Sequence, residues 1–322
     1  MSNLAKLGYF FDSEGVLRNK ITNSKFKYTD QEAYEALGEA IDEEIYTMLV
    51  ERCKLIKTPL KPKEGKELDE DVSFIFVSPE CQKKENLLVL VHGSGVVRAG
   101  QWARRLIINE NLECGTQIPY IERALRNDWG IVVLNTNHTC SEQEELKYSR
   151  TPVEHASNAW KWWVHESSAK NIFVVAHSRG GYDMSAVLAT YGHDKRIRVV
   201  CLTDSPGFQI SGAARNRGEH FFVINFLAHQ NRKAVRKMAK PPAEVTHVHA
   251  GTNVHEWTSH CAFNAIFFIL EERLDKFNFD TVLERAMDLI PSQVEEPVEE
   301  EEDAGKGREE EIEAEHFNRQ PV

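Results

Sequence analysis

The chain has 322 residues, 41% of them hydrophobic, and a formal net charge of -11, enough for one large α/β domain plus appendages. From Glu295 to Val322 there are twelve acidic and three basic residues, a charge of -9 that leaves about -2 for the first 294. A near-neutral body with an acidic tail is not a general polyanion binder, so any contact with nucleic acid needs a local basic patch. The opening MSNLAKLGYFF lacks an apolar core, which predicts no secretion signal, and no run approaches the roughly 18 apolar residues of a membrane span.

Gly8 to Arg18 reads as a small hairpin, with Asp12-Ser13-Glu14-Gly15 as its turn. Thr29-Asp30-Gln31-Glu32 reads as a capping box. The helix it opens carries Tyr34, Leu37, Ile41, Ile45 and Leu49 at helical spacing and runs to about Cys53. A connector rich in Lys and Pro follows, from Lys54 to Lys66. Five apolar runs then predict strands, at Phe74–Val77, Leu87–Val91, Ile131–Leu134, Ile172–Ala176 and Val199–Leu202, with a last strand over Val245–His249. Continuous apolar strands suit a sheet covered on both faces. Thr151-Pro152-Val153-Glu154 is a second capping box, opening a helix to about Ala169. Further helices are predicted over Gly181–Tyr191 and Ser259–Asp275.

This alternation predicts an α/β fold of the α/β-hydrolase type, a mostly parallel, doubly wound sheet with helices on both faces. The expected organisation is an N-terminal hairpin and helix (residues 1–66) packed on a main domain (67–290), followed by a disordered acidic tail (291–322). The six cysteines have no CxxC spacing and are expected as reduced thiols.

Chemistry concentrates after the fourth apolar run. Ala176-His177-Ser178-Arg179-Gly180-Gly181 lies between a strand and a helix and is a variant of the G-x-S-x-G nucleophile elbow. The turn needs small residues around the serine because neighbouring backbone passes close. His92-Gly93-Ser94-Gly95 follows the second run, where such hydrolases place an oxyanion loop. The expected hole combines the N–H of Arg179 with one from Ser94, Gly95 or Val96. Partners should follow in the order acid, then histidine. Asp204 ends the fifth run and His255 follows the last, so the candidate triad is Ser178, His255 and Asp204, with Glu256 as the fallback acid. Asn253 stands at another place where the fold often carries its acid and cannot supply a carboxylate.

Other signals are weaker. His247 and His249 share a strand face, but lack acid or thiol at ligand spacing, so no metal is expected, and no cofactor. Trp160, Trp162 and Trp163 read as packing. Arg232, Lys233, Arg236, Lys237 and Lys240 form the densest basic cluster. It is either a solvated helix face or a patch for phosphate contact or nuclear import.

The block from Leu90 through His92-Gly93-Ser94-Gly95-Val96-Val97-Arg98-Ala99-Gly100-Gln101-Trp102-Ala103-Arg104-Arg105 to Glu110 resembles the argonaute-binding-protein-two domain family. Further matches are Gly115–Pro119, Ala176-His177-Ser178, Leu202–Ser205, Ala250-Gly251-Thr252, His255-Glu256 and Tyr34–Glu39, so the resemblance spans roughly residues 8 to 272. Animal members are described as cotranscriptional regulators, and a related domain ends the fungal class II histone deacetylases. The resemblance implies a hydrolase-fold protein of argonaute-linked small-RNA silencing, heterochromatin formation or splicing control, in nucleus and cytoplasm. Its implied partners are an argonaute-class protein, small RNA directly or through that protein, and chromatin or splicing factors, with no membrane. Arg179 stands where vertebrate relatives are expected to carry Tyr, and Asn253 where Asp is expected. The segment between Asn135 and Thr151 is short where relatives carry a charged insertion, which leaves Arg232–Lys240 as the substitute import signal. The rival reading is an active serine hydrolase, an esterase, thioesterase or protein deacylase, since Ser178, His255 and Asp204 are the residue types catalysis needs.

Overall fold

Among the residues described by a computed structural model (2–62, 71–141, 144–210, 212–215, 220–230, 245–272, 274–275 and 277–291), eight strands form one sheet. They are β1 (Ile56–Pro59), β2 (Phe74–Val77), β3 (Asn86–Val91), β4 (Gly130–Val133), β5 (Asn171–His177), β6 (Ile197–Thr203), β7 (Phe222–Leu227) and β8 (Val245–His249). Their spatial order is 1-2-4-3-5-6-7-8. β2 is antiparallel to both of its neighbours, and the pairs from β4 to β8 are all parallel. This is the α/β-hydrolase sheet, as the alternation of elements predicts.

Side chains that alternate along each strand enter two separate cores. Leu88 and Leu90 of β3 pack on one face with α1 (Gln31–Glu51), α2 (Arg104–Asn109), α3 (Ile118–Arg126), α6 (Phe263–Glu271) and α7 (Phe279–Met287). Leu87, Val89 and Val91 pack on the other with α4 (Pro152–Ala159) and α5 (Arg179–Tyr191). Burial on both faces is why these strands are apolar throughout. α1 contributes fully buried Ile41, Ile45 and Leu49, each stabilising by roughly 1.5–3 kcal/mol. The N-terminal hairpin pairs Tyr9–Phe11 with Leu17–Asn19, and Leu17 joins the α1 core.

Several local expectations shift. The connector Lys54–Lys66 contains β1, so the sheet begins upstream of residue 67; the strand is short and at the edge, with Ile56 and Lys57 exposed, and lacks the apolar signature of the centre. β7 is a strand the sequence pattern does not announce. Its apolar run is broken by Asn225, a buried residue whose carboxamide bonds both the N–H and the carbonyl of Ser205. Asp30, rather than Thr29, caps α1, its carboxylate accepting from Ala33 N–H at 2.8 Å. Thr151 does cap α4. Beyond Ala159 that helix widens into a π-helical turn, Trp160–His165. The wider turn buries Trp160 and lets Trp163 donate to the Leu60 carbonyl at 2.8 Å, so these tryptophans pack. The expected helix over Ser259–Asp275 is two pieces, Thr258–Cys261 and α6. Arg232, Lys233, Arg236, Lys237 and residues 292–322 lie outside the described residues.

Candidate active site at the elbow

Ser178 directly follows β5 and precedes α5, with φ 51° and ψ -125°. A serine held at positive φ outside the favoured wells stores of order 1–3 kcal/mol, which surrounding contacts must impose. The contacts are visible. Ser178 N–H donates to the Thr203 carbonyl at 3.0 Å, and Gly181 N–H closes back on the Ser178 carbonyl at 3.1 Å. A Cβ on Gly180 would lie 2.5 Å from the His92 carbonyl oxygen and 2.9 Å from that of Val91. The elbow therefore passes over the end of β3 with no room for a side chain. Gly180→Ala is expected to cost about 1–3 kcal/mol through forced backbone shifts, measured as a lower urea midpoint; an unchanged midpoint would show that β3 gives way easily.

Asp204 lies at the end of β6, also at positive φ (49°). Its Oδ1 accepts from Ala228 N–H at 3.2 Å, and its Oδ2 lies 2.7 Å from Nδ1 of His255. A carboxylate facing Nδ1 keeps the proton there and leaves Nε2 as the proton acceptor. Glu256 turns elsewhere, to Arg105 at 3.1 Å, and Asn253 is exposed. The structure thus brings Asp204, the first-choice acid of the sequence reading, onto His255, and not the fallback Glu256.

The His255 ring packs on His177, centroids 4.6 Å apart. His177 Nδ1 donates to the Thr203 carbonyl at 2.9 Å. Burial, and next the neighbouring His255, hold its imidazole well below the usual range, so it remains neutral. His177 directly precedes Ser178 in the chain, which places His255 beside the elbow. Among the described residues, Ser178 Oγ forms no hydrogen bond; catalytic hydrogen bonds often tighten only when substrate arrives.

Gly93 is the second close neighbour: a Cβ there would sit 3.1 Å from Ser178 Cβ. Of the oxyanion-loop candidates, Ser94 is half-buried and Gly95 is exposed. Among the described residues, none accepts a hydrogen bond from the N–H of Ser94, Gly95 or Val96. The N–H of Arg179, first in α5, has no intrahelical partner. Arg179 adjoins Ser178 in the chain and Gly93 packs against it, so the two segments that carry these donors meet at the serine. The Arg179 side chain is largely buried and pairs with Asp183 one turn on, at 3.4 Å. Burial raises the Asp183 carboxyl to about 6, against the pull of Arg179.

Comparison with known proteins places this arrangement. The Arb2 domain model matches residues 1–147. The FAM172 family protein homolog of Caenorhabditis elegans is 54% identical over 292 residues, covering 90% of this chain and 93% of that protein. The chain belongs to the Arb2 domain family. The human cotranscriptional regulator ARB2A is 32% identical over 82% of this chain and 79% of its own length. Among solved structures, a histone deacetylase from Saccharomyces cerevisiae aligns over 76% of this chain and all of that chain at 14% identity, with a TM-score of 0.45. The histone deacetylase Clr3 aligns over 84% of this chain at 18% identity and a TM-score of 0.44, and the Arb2 chain spans 41% of it.

Three residues that shape the site carry no sequence pattern that points to it. Asn137 carries a glycosylation-type pattern, Asn137-His138-Thr139, yet its carboxamide faces inward onto the Gly93–Val97 loop. Asn135 holds the Ala99 N–H at 2.9 Å. Asp42, on α1, pairs with Arg104. Nothing local in the sequence marks any of them as part of the site.

Proposed function

We propose that this Arb2-domain chain is a regulatory α/β-hydrolase-fold protein of argonaute-linked small-RNA silencing, heterochromatin formation or cotranscriptional splicing control. It acts by binding, in nucleus and cytoplasm. The observation that carries this reading is identity across nearly the whole body with relatives named cotranscriptional regulators, 32% over 330 residues for the human protein. Its partners are an argonaute-class protein, small RNA reached directly or through it, and chromatin or splicing factors. Co-precipitation tests it. Ser178→Ala is expected to leave association with an argonaute-class protein intact. Charge reversal of Arg232, Lys233, Arg236 and Lys237 is expected to weaken RNA association and flatten its salt dependence, because phosphate contacts release counterions. Loss of partner binding by a folded Ser178→Ala would overturn the reading.

A second reading, favoured by the 2.7 Å contact between Asp204 and His255, is hydrolysis of an ester, thioester or acylated protein. Here His255 Nε2 takes the Ser178 proton as Oγ attacks the acyl carbon. Asp204 fixes the tautomer and stabilises the imidazolium. The free N–H groups receive the oxyanion. A fluorophosphonate probe reads this directly. Labelling of wild type, none of Ser178→Ala, and a drop of about 10⁴-fold for Asp204→Asn support it; an unlabelled wild type removes it.

A further inference from the structure

The loop after β3 is held by its carbonyls. Asn137 Nδ2 donates to the carbonyl oxygens of Gly93, Gly95 and Val97 at 3.0, 3.1 and 3.1 Å. Arg104 Nη2 donates to the Val96 carbonyl at 2.8 Å, and Arg98 Nη1 to the same oxygen at 3.2 Å. In a trans peptide the C=O and the following N–H point in opposite directions. Each carbonyl that Asn137 gathers therefore turns one N–H away from it: those of Ser94, Val96 and Arg98. Two of these, Ser94 and Val96, are among the N–H groups that no described residue accepts. The chain at Gly93 runs against the serine, so close that a Cβ on this glycine would lie 3.1 Å from Ser178 Cβ.

We propose that Asn137 is the positioning residue of the elbow site: its carboxamide collects alternate loop carbonyls and so fixes the Ser94 and Val96 N–H groups as preorganised donors for an anion in front of Ser178. The proposal rests on the reading that this pocket receives an oxyanion-like group. The residue type is dictated by the task. A carboxamide NH₂ offers two hydrogens to a cup of acceptors. An aspartate would set oxygen against three oxygens; an alanine would leave the Gly93 carbonyl to His92 Nδ1 at 2.8 Å and the Val97 carbonyl to Arg98 Nη1 at 3.2 Å, and would leave the Gly95 carbonyl with no donor among the described residues. Donors that need no reorganisation when charge develops are the ones that lower a barrier, and losing one costs about 10²–10³-fold.

The test uses the full chain and three variants, Asn137→Ala, Asn137→Asp and Asn137→Ser. Fluorophosphonate labelling rates and the amide ¹H–¹⁵N resonances of Ser94, Val96 and Arg179 are compared. Asn137→Ala is expected to slow labelling by about 10²-fold and to move the Ser94 and Val96 resonances while Arg179 stays in place. Asn137→Asp should lose at least as much, and Asn137→Ser, which keeps one donor, should fall between alanine and wild type. If Asn137→Ala does not fold, the serine variant carries the comparison. A residue that only supports the fold would lower the thermal midpoint without moving those two amides selectively. Unchanged labelling with unmoved Ser94 and Val96 resonances overturns the proposal. If wild type takes no label, hydrolysis fails as a function, and the resonances alone decide Asn137: selective movement supports it, none overturns it.

Discussion

Acidification from pH 7 toward pH 4 is expected to unfold this protein. Four imidazoles, His92, His138, His155 and His177, are held below the ordinary value of about 6.5, in every case chiefly by burial. For His92 and His138 the value falls to about 4. Their hydrogen bonds are those of neutral rings. His155 Nε2 accepts from Asn135 N–H at 3.1 Å, so its Nδ1 donates to Ser149 Oγ at 2.9 Å. The folded state therefore binds fewer protons than the unfolded one between the two pKa values. The associated stability is fully present above about pH 6.5 and is lost as pH falls through the folded values, at up to about 1.4 kcal/mol per pH unit for each group. Asp183 works in the opposite sense, because its carboxyl is raised by burial to about 6; its penalty is relieved as pH falls through that value. One such group does not offset four. Whole domains have only about 5–15 kcal/mol of stability, so the urea midpoint should drop steeply from pH 7 to pH 5. His138→Gln should make that slope shallower by about one proton. A midpoint flat over this range would refute the assignment of neutral buried imidazoles.

Asp42→Ala should destabilise the fold strongly. Arg104 is 7% exposed and Asp42 14%. One Arg104 nitrogen, Nη2, contacts both carboxylate oxygens, at 2.9 and 3.0 Å, and Gln101 Nε2 adds a bond to Oδ1 at 2.6 Å. A Cβ on Gly38 would lie 2.5 Å from Arg104 Nη1, so α1 is shaped to let the guanidinium through. Removing the carboxylate leaves a buried cation without its counterion, a loss of about 3–5 kcal/mol. It also loosens the Val96 carbonyl that Arg104 holds. Replacing both partners, Asp42→Leu with Arg104→Met, is expected to recover most of the loss, since apolar pairs of similar volume often match buried ion pairs. A double-mutant cycle by urea unfolding measures this. A loss below about 1 kcal/mol for Asp42→Ala, the scale of an exposed pair, would mean that water reaches Arg104.

The sequence by itself determined the central strands, the elbow and the family. Strands buried on both faces must be apolar at every position, so β3, β4, β5 and β6 announce themselves. The elbow is legible because its steric demands fall on a few consecutive residues from Ala176 to Gly181. The edge strand β1 and the interrupted β7 were not legible, because one is half solvated and the other spends a core position on Asn225. The order acid then histidine already favoured Asp204 over Glu256, with Asn253 unable to supply a carboxylate, but only the tertiary structure made Asp204 the partner of His255. That choice depends on β6 and β8 ending at the same edge of the sheet, which brings together residues 51 apart in sequence. The same holds for Asn137 and its three carbonyls, 40 to 44 residues away, and for Asp42 beneath Arg104, 62 residues away. A polar side chain shows no periodicity, and its partner is set by where the strands end, a property of the whole sheet that no single segment encodes.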